Sequence, residues 1–262
     1  HGHHRRQRQM CIRDRTPSAS RYGKGTHIRN LLEGIREGEK VVSILPLDRE
    51  LIQNPEGHYI IFATSQGRIK RSHLSDYVKI NRNGKYALKF AKDSDSLVQV
   101  RPATEEDHVV LVSSMGYACR FLPSEAKTRV DAATGESVTT HTVRVQGRVS
   151  QGVAGMKLQS GDRVVGMIVT DDFDTSVLTI SKHGMAKRSR LGSGSMVEIK
   201  LEDGSIAQGD DGGPLMERDG YRKTNRGTKG VRTMALSDGD SIIGVRQIPD
   251  LSDQLFMLTD KG

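Results

Sequence analysis

Along this chain, short runs of Val, Ile and Leu alternate with Gly-punctuated polar corners, and the runs recur in one order. Tyr59 to Ser72, YIIFATSQGRIKRS, sets the pattern: an apolar run, a Ser65-Gln66-Gly67 corner, and a second run carrying Arg68, Lys70 and Arg71. Two β-compatible runs around a glycine corner predict a hairpin, with Gly67 supplying the positive φ. Strand alternation predicts Ile69 on a packed face, with Arg68 and Lys70 on the opposite face toward solvent. The pattern returns at Val109 to Phe121, VVLVSSMGYACRF, and at Val177 to Arg190, VLTISKHGMAKRSR. It starts once more at Leu255 to Gly262, LFMLTDKG, with corner glycines at Gly67, Gly116, Gly184 and Gly262.

A second module alternates with the hairpin. It reads RYGKGTHIRNLLEGIREGEKVVSILP from Arg21, NRNGKYALKFAKDSDSLVQVRP from Asn81, QGVAGMKLQSGDRVVGMIV from Gln151, and RGTKGVRTMALSDGDSIIGV from Arg226. Each version has a Gly-and-cation loop, a strand-like run, an acidic Gly-containing turn and a second strand-like run. Self-similarity of this kind predicts a repeat architecture. Short strands in turn-punctuated units predict an all-β, propeller-like array of four-stranded blades, incomplete at both ends. Residues 17–47 read as part of a blade, 58–102, 108–169 and 176–248 as successive blades, and 254–262 as the start of another. Two units carry insertions, near 123–145 and 191–221. In the second, strands are expected at Met196 to Leu201 and Ser205 to Gln208 around an Asp203-Gly204 turn. Helix is expected to be scarce; Leu31 to Glu39 is short and broken by glycine.

Composition narrows the classes. Hydrophobic residues make up 35% and aromatics 4%, with no Trp, which predicts a core of Val, Ile, Leu and Met. No apolar run approaches the roughly 18 residues of a membrane span, and no secretory leader is legible, so a cytoplasmic location is expected. Cys11 and Cys119 offer neither a disulfide framework nor metal-ligand spacing. The net charge of +8 points to a polyanionic partner. Half of it comes from the first fifteen residues, where Arg5, Arg6, Arg8, Arg13 and Arg15 face Asp14 alone. Residues 1–16 match neither module and read as a disordered leader or one foreign to the native protein. His1, His3 and His4 within it form no designed metal site.

The module order resembles a known family. Asn225 to Val231 (NRGTKGV), Gly161 to Gly166 (GDRVVG), His183 to Arg188 (HGMAKR) and Gly84 to Leu88 (GKYAL) are similar to the C-terminal domain of the DNA gyrase A subunit, over residues 17–262. That resemblance implies a β-pinwheel, a non-catalytic domain that binds and wraps DNA on a basic rim and supports ATP-dependent supercoiling by the holoenzyme. It also implies double-stranded DNA as partner, along with a gyrase-B-type ATPase subunit and the remainder of the A subunit. No cofactor is expected in this stretch; ATP and Mg belong to the holoenzyme. The family's uninterrupted QRRGGKG motif does not occur, and Arg226 to Gly230 and Arg21 to Gly25 are degenerate echoes of it. The alternatives are a propeller-like protein-interaction scaffold and the C-terminal domain of a topoisomerase IV A subunit.

No tyrosine or carboxylate here occupies a recognisable catalytic setting, so no catalytic residue is assigned. The candidate DNA contacts are the cations that recur in register: Arg68, Lys70, Arg71, Arg82, Lys85, Arg120, Arg148, Lys187, Arg188, Arg190, Arg226, Lys229 and Arg232. Taken singly, each fits an ordinary solvated strand face equally well. Their recurrence favours a phosphate-contacting band, which would bind with strong salt dependence and little sequence preference. His108, His141 and His183 are isolated and read as strand or turn residues. The acidic runs at Asp171, Asp172 and Asp174 and at Asp210 and Asp211 read as solvated loops. Gly227 to Gly230 lacks the frame of a P-loop.

Overall fold

The computed structural model describes residues 6–9, 20–27, 30, 41–79, 85–130, 135–249 and 252. Its strands are β1 (Arg6–Gln9), β2 (Tyr59–Thr64), β3 (Arg68–His73), β4 (Lys85–Lys89), β5 (Leu97–Ala103), β6 (His108–Ser113), β7 (Tyr117–Phe121), β8 (Ala126–Val130) and β9 (Ser137–His141). They continue with β10 (Val153–Ala154), β11 (Val164–Thr170), β12 (Ser176–Ser181), β13 (Ala186–Arg190), β14 (Met196–Glu198), β15 (Met216–Arg218), β16 (Val231–Arg232) and β17 (Ile242–Ile248). Among the described residues, the short helices α1 (Arg49–Gln53) and α2 (Ser75–Val78) were not legible in the pattern. Among the described residues no helix is long and apolar enough to cross a membrane. Leu31 to Glu39 and the run Leu255 to Leu258 lie outside the described residues.

The chain divides into two units, His1–Asp107 with Leu122–Gly155, and His108–Phe121 with Met156–Gly262. In the first, β2 and β3 form the expected hairpin, with Phe62 opposite Lys70 and Ile60 opposite Ser72. Flanking strands complete an antiparallel sheet in the order β10-β3-β2-β5. All six residues of β2 are buried, as expected for a central strand covered on both faces. In the second unit β6 and β7 repeat the hairpin in the sheet β11-β6-β7-β16, and β12 and β13 repeat it in β13-β12-β17. The corner glycines adopt the expected positive φ: 74° at Gly67, 81° at Gly116 and 86° at Gly184.

Neither four-stranded sheet is made from one sequence unit. β10, which pairs with Ile69 and Arg68, lies in the unit read as 108–169. β16, which pairs with Ala118 and Tyr117, lies in the unit read as 176–248. The Gly-and-cation loop of the following module therefore closes the outer edge of the preceding hairpin. Its pairing satisfies backbone groups that would otherwise form an open edge.

The acidic turn has a structural task that its composition did not reveal. Asp95 Oδ1 accepts from the backbone N–H of Gln66 at 3.0 Å and from Ser65 Oγ at 3.0 Å. Asp162 accepts from Met115 N–H at 3.0 Å and Ser114 Oγ at 2.9 Å, and Asp240 from His183 N–H at 3.0 Å. In each repeat one carboxylate locks the hairpin corner by holding the N–H just before the glycine. Charged acceptors make such bonds stronger than neutral ones.

The first unit's core gathers Ile60, Phe62, Leu74, Tyr77, Leu88, Phe90, Leu97 and Val100. The second gathers Val110, Val112, Ile168, Val177, Leu191, Tyr221, Met234 and Val245. Phe62, Tyr77, Phe90 and Tyr221 join these cores, so the interior is not built from Val, Ile, Leu and Met alone. The insertion near 123–145 is the hairpin β8–β9. The insertion near 191–221 has the expected Asp203-Gly204 turn, with Leu201 N–H donating to Ser205 O at 2.8 Å. Of the two expected strands only Met196–Glu198 forms, as β14. Ile206 and Gln208 make isolated bridges to Lys200 and Pro214, and the partner of β14 is β15, which was not anticipated.

Candidate nucleic-acid interface

Where the following module's loop meets the hairpin edge, the backbones approach closely. Gly152 has φ +72°, and a Cβ built there would overlap the carbonyl oxygen of Ile69. Gly230 has φ +82°, and its Cβ would overlap the carbonyl oxygen of Ala118. Glycine is required at both positions by conformation and by space together. The loop before Gly230 is tied down as well: Thr224 Oγ1 donates to Arg120 O at 3.0 Å, and Thr228 Oγ1 to Asn225 O at 2.8 Å.

This anchoring holds two cations at the sheet edge. Lys229 Nζ lies 4.0 Å from the centroid of the Tyr117 ring, and the Arg232 guanidinium lies 6.0 Å from it. Arg232 and Tyr117 are cross-strand partners. The hydrogen bonds from Lys229 and then Arg232 hold the Tyr117 phenol below its ordinary value. Lys229 and Arg232 are both exposed, and Arg226 in the same loop is half-buried. On β13, Arg188 is exposed, Lys187 Nζ donates to Thr233 O at 3.0 Å, and Arg190 pairs with Asp174 at 2.7 Å. The structure thus leaves Arg188, Lys229 and Arg232 as the most available of the predicted cations in the second unit.

Three predicted contacts are instead interior residues. Lys70, Arg71 and Arg120 are each 1% exposed. Lys70 Nζ donates to Ala87 O and Arg148 O, both at 2.6 Å, and to Tyr77 Oη at 3.3 Å. Arg71 pairs with Glu105 at 2.7 Å and lies 3.8 Å above the Tyr59 ring. Arg120 donates to the carbonyls of Leu191 at 3.1 Å, Gly192 at 2.7 Å and Tyr221 at 2.8 Å. Both faces of β3 and β7 are covered, not one, so strand alternation does not bring Lys70 to solvent. A cation is tolerated in such a place when carbonyls or a carboxylate receive its N–H groups. Arg68 is half-buried, its guanidinium donating to Gln151 O at 2.9 Å and Gly152 O at 2.7 Å. Arg148 is half-buried. Arg82 and the side chain of Lys85 lie outside the described residues.

Among the described residues no group of three His, Cys, Asp or Glu side chains could hold a metal ion. His108 Nδ1 accepts from Arg120 Nε at 3.3 Å, and its ring packs edge-on against Phe173 at 5.0 Å. The Cys119 thiol is buried beneath the loop before Gly230, 3.2 Å from Thr224 Oγ1.

Comparison with known proteins now decides the family. The family described as DNA gyrase C-terminal domain, beta-propeller, matches residues 17–48, 58–104, 137–171, 175–193 and 216–249. The chain belongs to this family. The DNA gyrase A subunit of Staphylococcus epidermidis (strain ATCC 12228 / FDA PCI 1200) is 30% identical over 247 residues, which cover 94% of this chain and 22% of that protein. The DNA gyrase A subunit of Rickettsia prowazekii (strain Madrid E) is 31% identical over 268 residues, covering 94% of this chain and 27% of that protein. The chain therefore spans about a quarter of the length of these relatives. The crystal structure of the C-terminal domain of DNA topoisomerase IV is similar in fold, with a TM-score of 0.53 at 20% identity. It covers 86% of this chain and 71% of that one.

In this gyrase-family domain the buried lysine gives a pH-dependent stability. Burial lowers the Lys70 ammonium from the ordinary lysine value of 10.5 to about 8. Between those values the unfolded chain holds more protons than the folded one, so stability rises with pH across that window. Below pH 8 the cost of burying the charge is present in full. The unfolding free energy of the parent is expected to gain on that of Lys70→Met by up to about 1.4 kcal/mol per pH unit between pH 8 and 10.5. Urea unfolding of both proteins at several pH values measures the difference; parallel pH profiles would contradict it.

Proposed function

We propose that this chain is a non-catalytic DNA-binding and DNA-wrapping domain of a gyrase-type A subunit. In the whole protein it works with a gyrase-B-type ATPase subunit and with the remainder of its own A subunit, in the cytoplasm, to support ATP-dependent supercoiling. The observation that carries this reading is the placement of exposed cations at the edges of two successive hairpins in the second unit. Lys229 and Arg232 are held over Tyr117 on one edge, and Arg188 stands on another. Such positions meet phosphates without reading base edges. Curving 20 to 30 base pairs by 40 to 90° costs on the order of 1–6 kcal/mol, which several distributed contacts can offset and a single one cannot.

Relaxed plasmid bound by the full chain and then treated with topoisomerase I tests the wrapping. A linking-number shift that fades with rising salt is the expected result. No binding at low salt would overturn the reading. Replacing Arg188, Lys229 and Arg232 together by Gln is expected to reduce the salt slope of duplex binding by up to about 0.9 for each lost phosphate contact. An unchanged slope would remove these residues from the interface.

A further inference from the structure

The insertion at residues 191–221 takes no part in the DNA-binding reading, and the family match leaves residues 194–215 uncovered. It is nevertheless firmly rooted. The buried Arg120 guanidinium holds carbonyls at both ends of it, Leu191 and Gly192 at the start and Tyr221 at the finish. The Leu191 and Tyr221 side chains sit in the second unit's core. Gly194 N–H donates to Asp219 O at 2.8 Å, and Asp219 N–H to Ser195 O at 3.0 Å, closing the stem.

Beyond the stem, three short arms meet at a ring of backbone hydrogen bonds. Ile199 N–H donates to Leu215 O at 2.9 Å, Leu215 N–H to Ala207 O at 2.7 Å, and Ala207 N–H to Ile199 O at 2.8 Å. The register, with Val197 opposite Glu217, Lys200 opposite Ile206 and Gln208 opposite Pro214, puts Val197, Ile199, Leu201, Ala207 and Leu215 on one face. Leu201 is 51% and Leu215 45% exposed, so this face is open to solvent, as is the opposite one carrying Met196, Ile206 and Met216. Two arm tips carry Glu202-Asp203 and Asp210-Asp211. Over residues 191–221, Glu198, Glu202, Asp203, Asp210, Asp211, Glu217 and Asp219 face only Lys200 and Arg218, a net charge of −5 in a chain of +8.

We propose that this three-armed insertion is a docking surface for a cationic amphipathic protein segment. Its apolar side chains cover Leu201 and Leu215, and its Lys or Arg residues meet the acidic arm tips. Charge sets the choice of occupant, because a phosphate polymer or an anionic lipid surface would face carboxylates of its own sign. The combination of an apolar centre with a charged margin is that of a protein interface. This assignment stands independently of the DNA-binding reading.

The test uses the full chain and a fluorescent synthetic peptide of alternating Leu and Lys, with an alternating Leu and Glu peptide as counterpart. At about 0.15 M salt, where charges more than about 8 Å apart are largely screened but contacting ones are not, anisotropy is expected to show binding of the Leu–Lys peptide alone. The Leu201→Ser/Leu215→Ser variant is expected to weaken that binding by about tenfold or more. A second variant, Glu202→Gln/Asp203→Asn/Asp210→Asn/Asp211→Asn, is expected to weaken it while leaving the apolar face intact. Both replace exposed side chains, so thermal unfolding is expected to match the parent, and duplex DNA affinity is expected not to fall. Equal binding by parent and serine variant, or equal binding of the two peptides, would overturn the proposal. So would sedimentation showing self-association of the parent that the serine variant loses, since a second copy would then cover the face.

Discussion

Replacing Arg120 by Met is expected to lower the unfolding free energy by about 2–4 kcal/mol, because interior carbonyls are left without their donor. The carbonyls of Gly192 and Tyr221 would lose this donor in the interior, while that of Leu191 keeps the Tyr221 N–H at 2.8 Å. Each unsatisfied buried group costs about 1–3 kcal/mol, discounted where water or relaxation reaches it. Burial pulls the Arg120 guanidinium below its ordinary value, with the Asp219 carboxylate acting against that. Arg188→Met supplies the control. Arg188 pairs with Leu178 on β13 as Arg120 pairs with Val110 on β7, yet it is exposed. Its loss is expected to change stability by no more than about 0.5 kcal/mol. Urea denaturation followed by circular dichroism measures both. Comparable losses would mean that the carbonyl contacts of Arg120 contribute little.

Gly230→Ala is the second large effect. A methyl group at that position would overlap the carbonyl oxygen of Ala118, which belongs to the backbone and cannot swing away. The left-handed conformation alone costs a non-glycine residue about 1–2 kcal/mol. Separation of β16 from β7 adds to this, so the total loss is expected to exceed about 3 kcal/mol. Lys229 and Arg232 would leave the Tyr117 ring with the strand, and duplex binding at low salt is expected to fall by about tenfold. Gly239→Ala separates the causes, because Gly239 has φ +75° with nothing within 4 Å of the added Cβ. It is expected to lose only the conformational part. Thermal unfolding and DNA titration of the two variants decide the matter; equal losses would rule out the steric account.

Much of the architecture was legible because it depends on near neighbours. Hairpin corners at Gly67, Gly116 and Gly184 follow from a local requirement for positive φ, and all three have it. The repeat of two modules likewise needs only the order of residues. The acidic turns were visible as composition, but their role was not. Asp162 reaches Ser114 and Met115 across a long stretch of chain, and nothing local points to that partner. A clue did exist, since each acidic turn recurs beside a hairpin corner in the same order.

The candidate site was legible only in part. Recurrence in register found the cations but did not sort them, and Lys70 and Arg188 look alike as sequence. A central strand with a following loop laid over it covers the Lys70 and Arg120 ends, whereas β13 leaves Arg188 exposed. The serine- and acid-rich insertion showed its Asp203-Gly204 turn, yet the ring joining Ile199, Ala207 and Leu215 depends on three segments meeting at once.

By itself, then, the order of residues determined the β class, the hairpin corners, the alternation of modules and the recurrence of positive charge. Those properties arise from backbone preference and periodicity over a few residues. Only the tertiary structure decided which strand closes each sheet and which cations face inward. Both outcomes depend on what packs over a strand from distant parts of the chain, and a buried ammonium or guanidinium is stable only where that packing supplies acceptors.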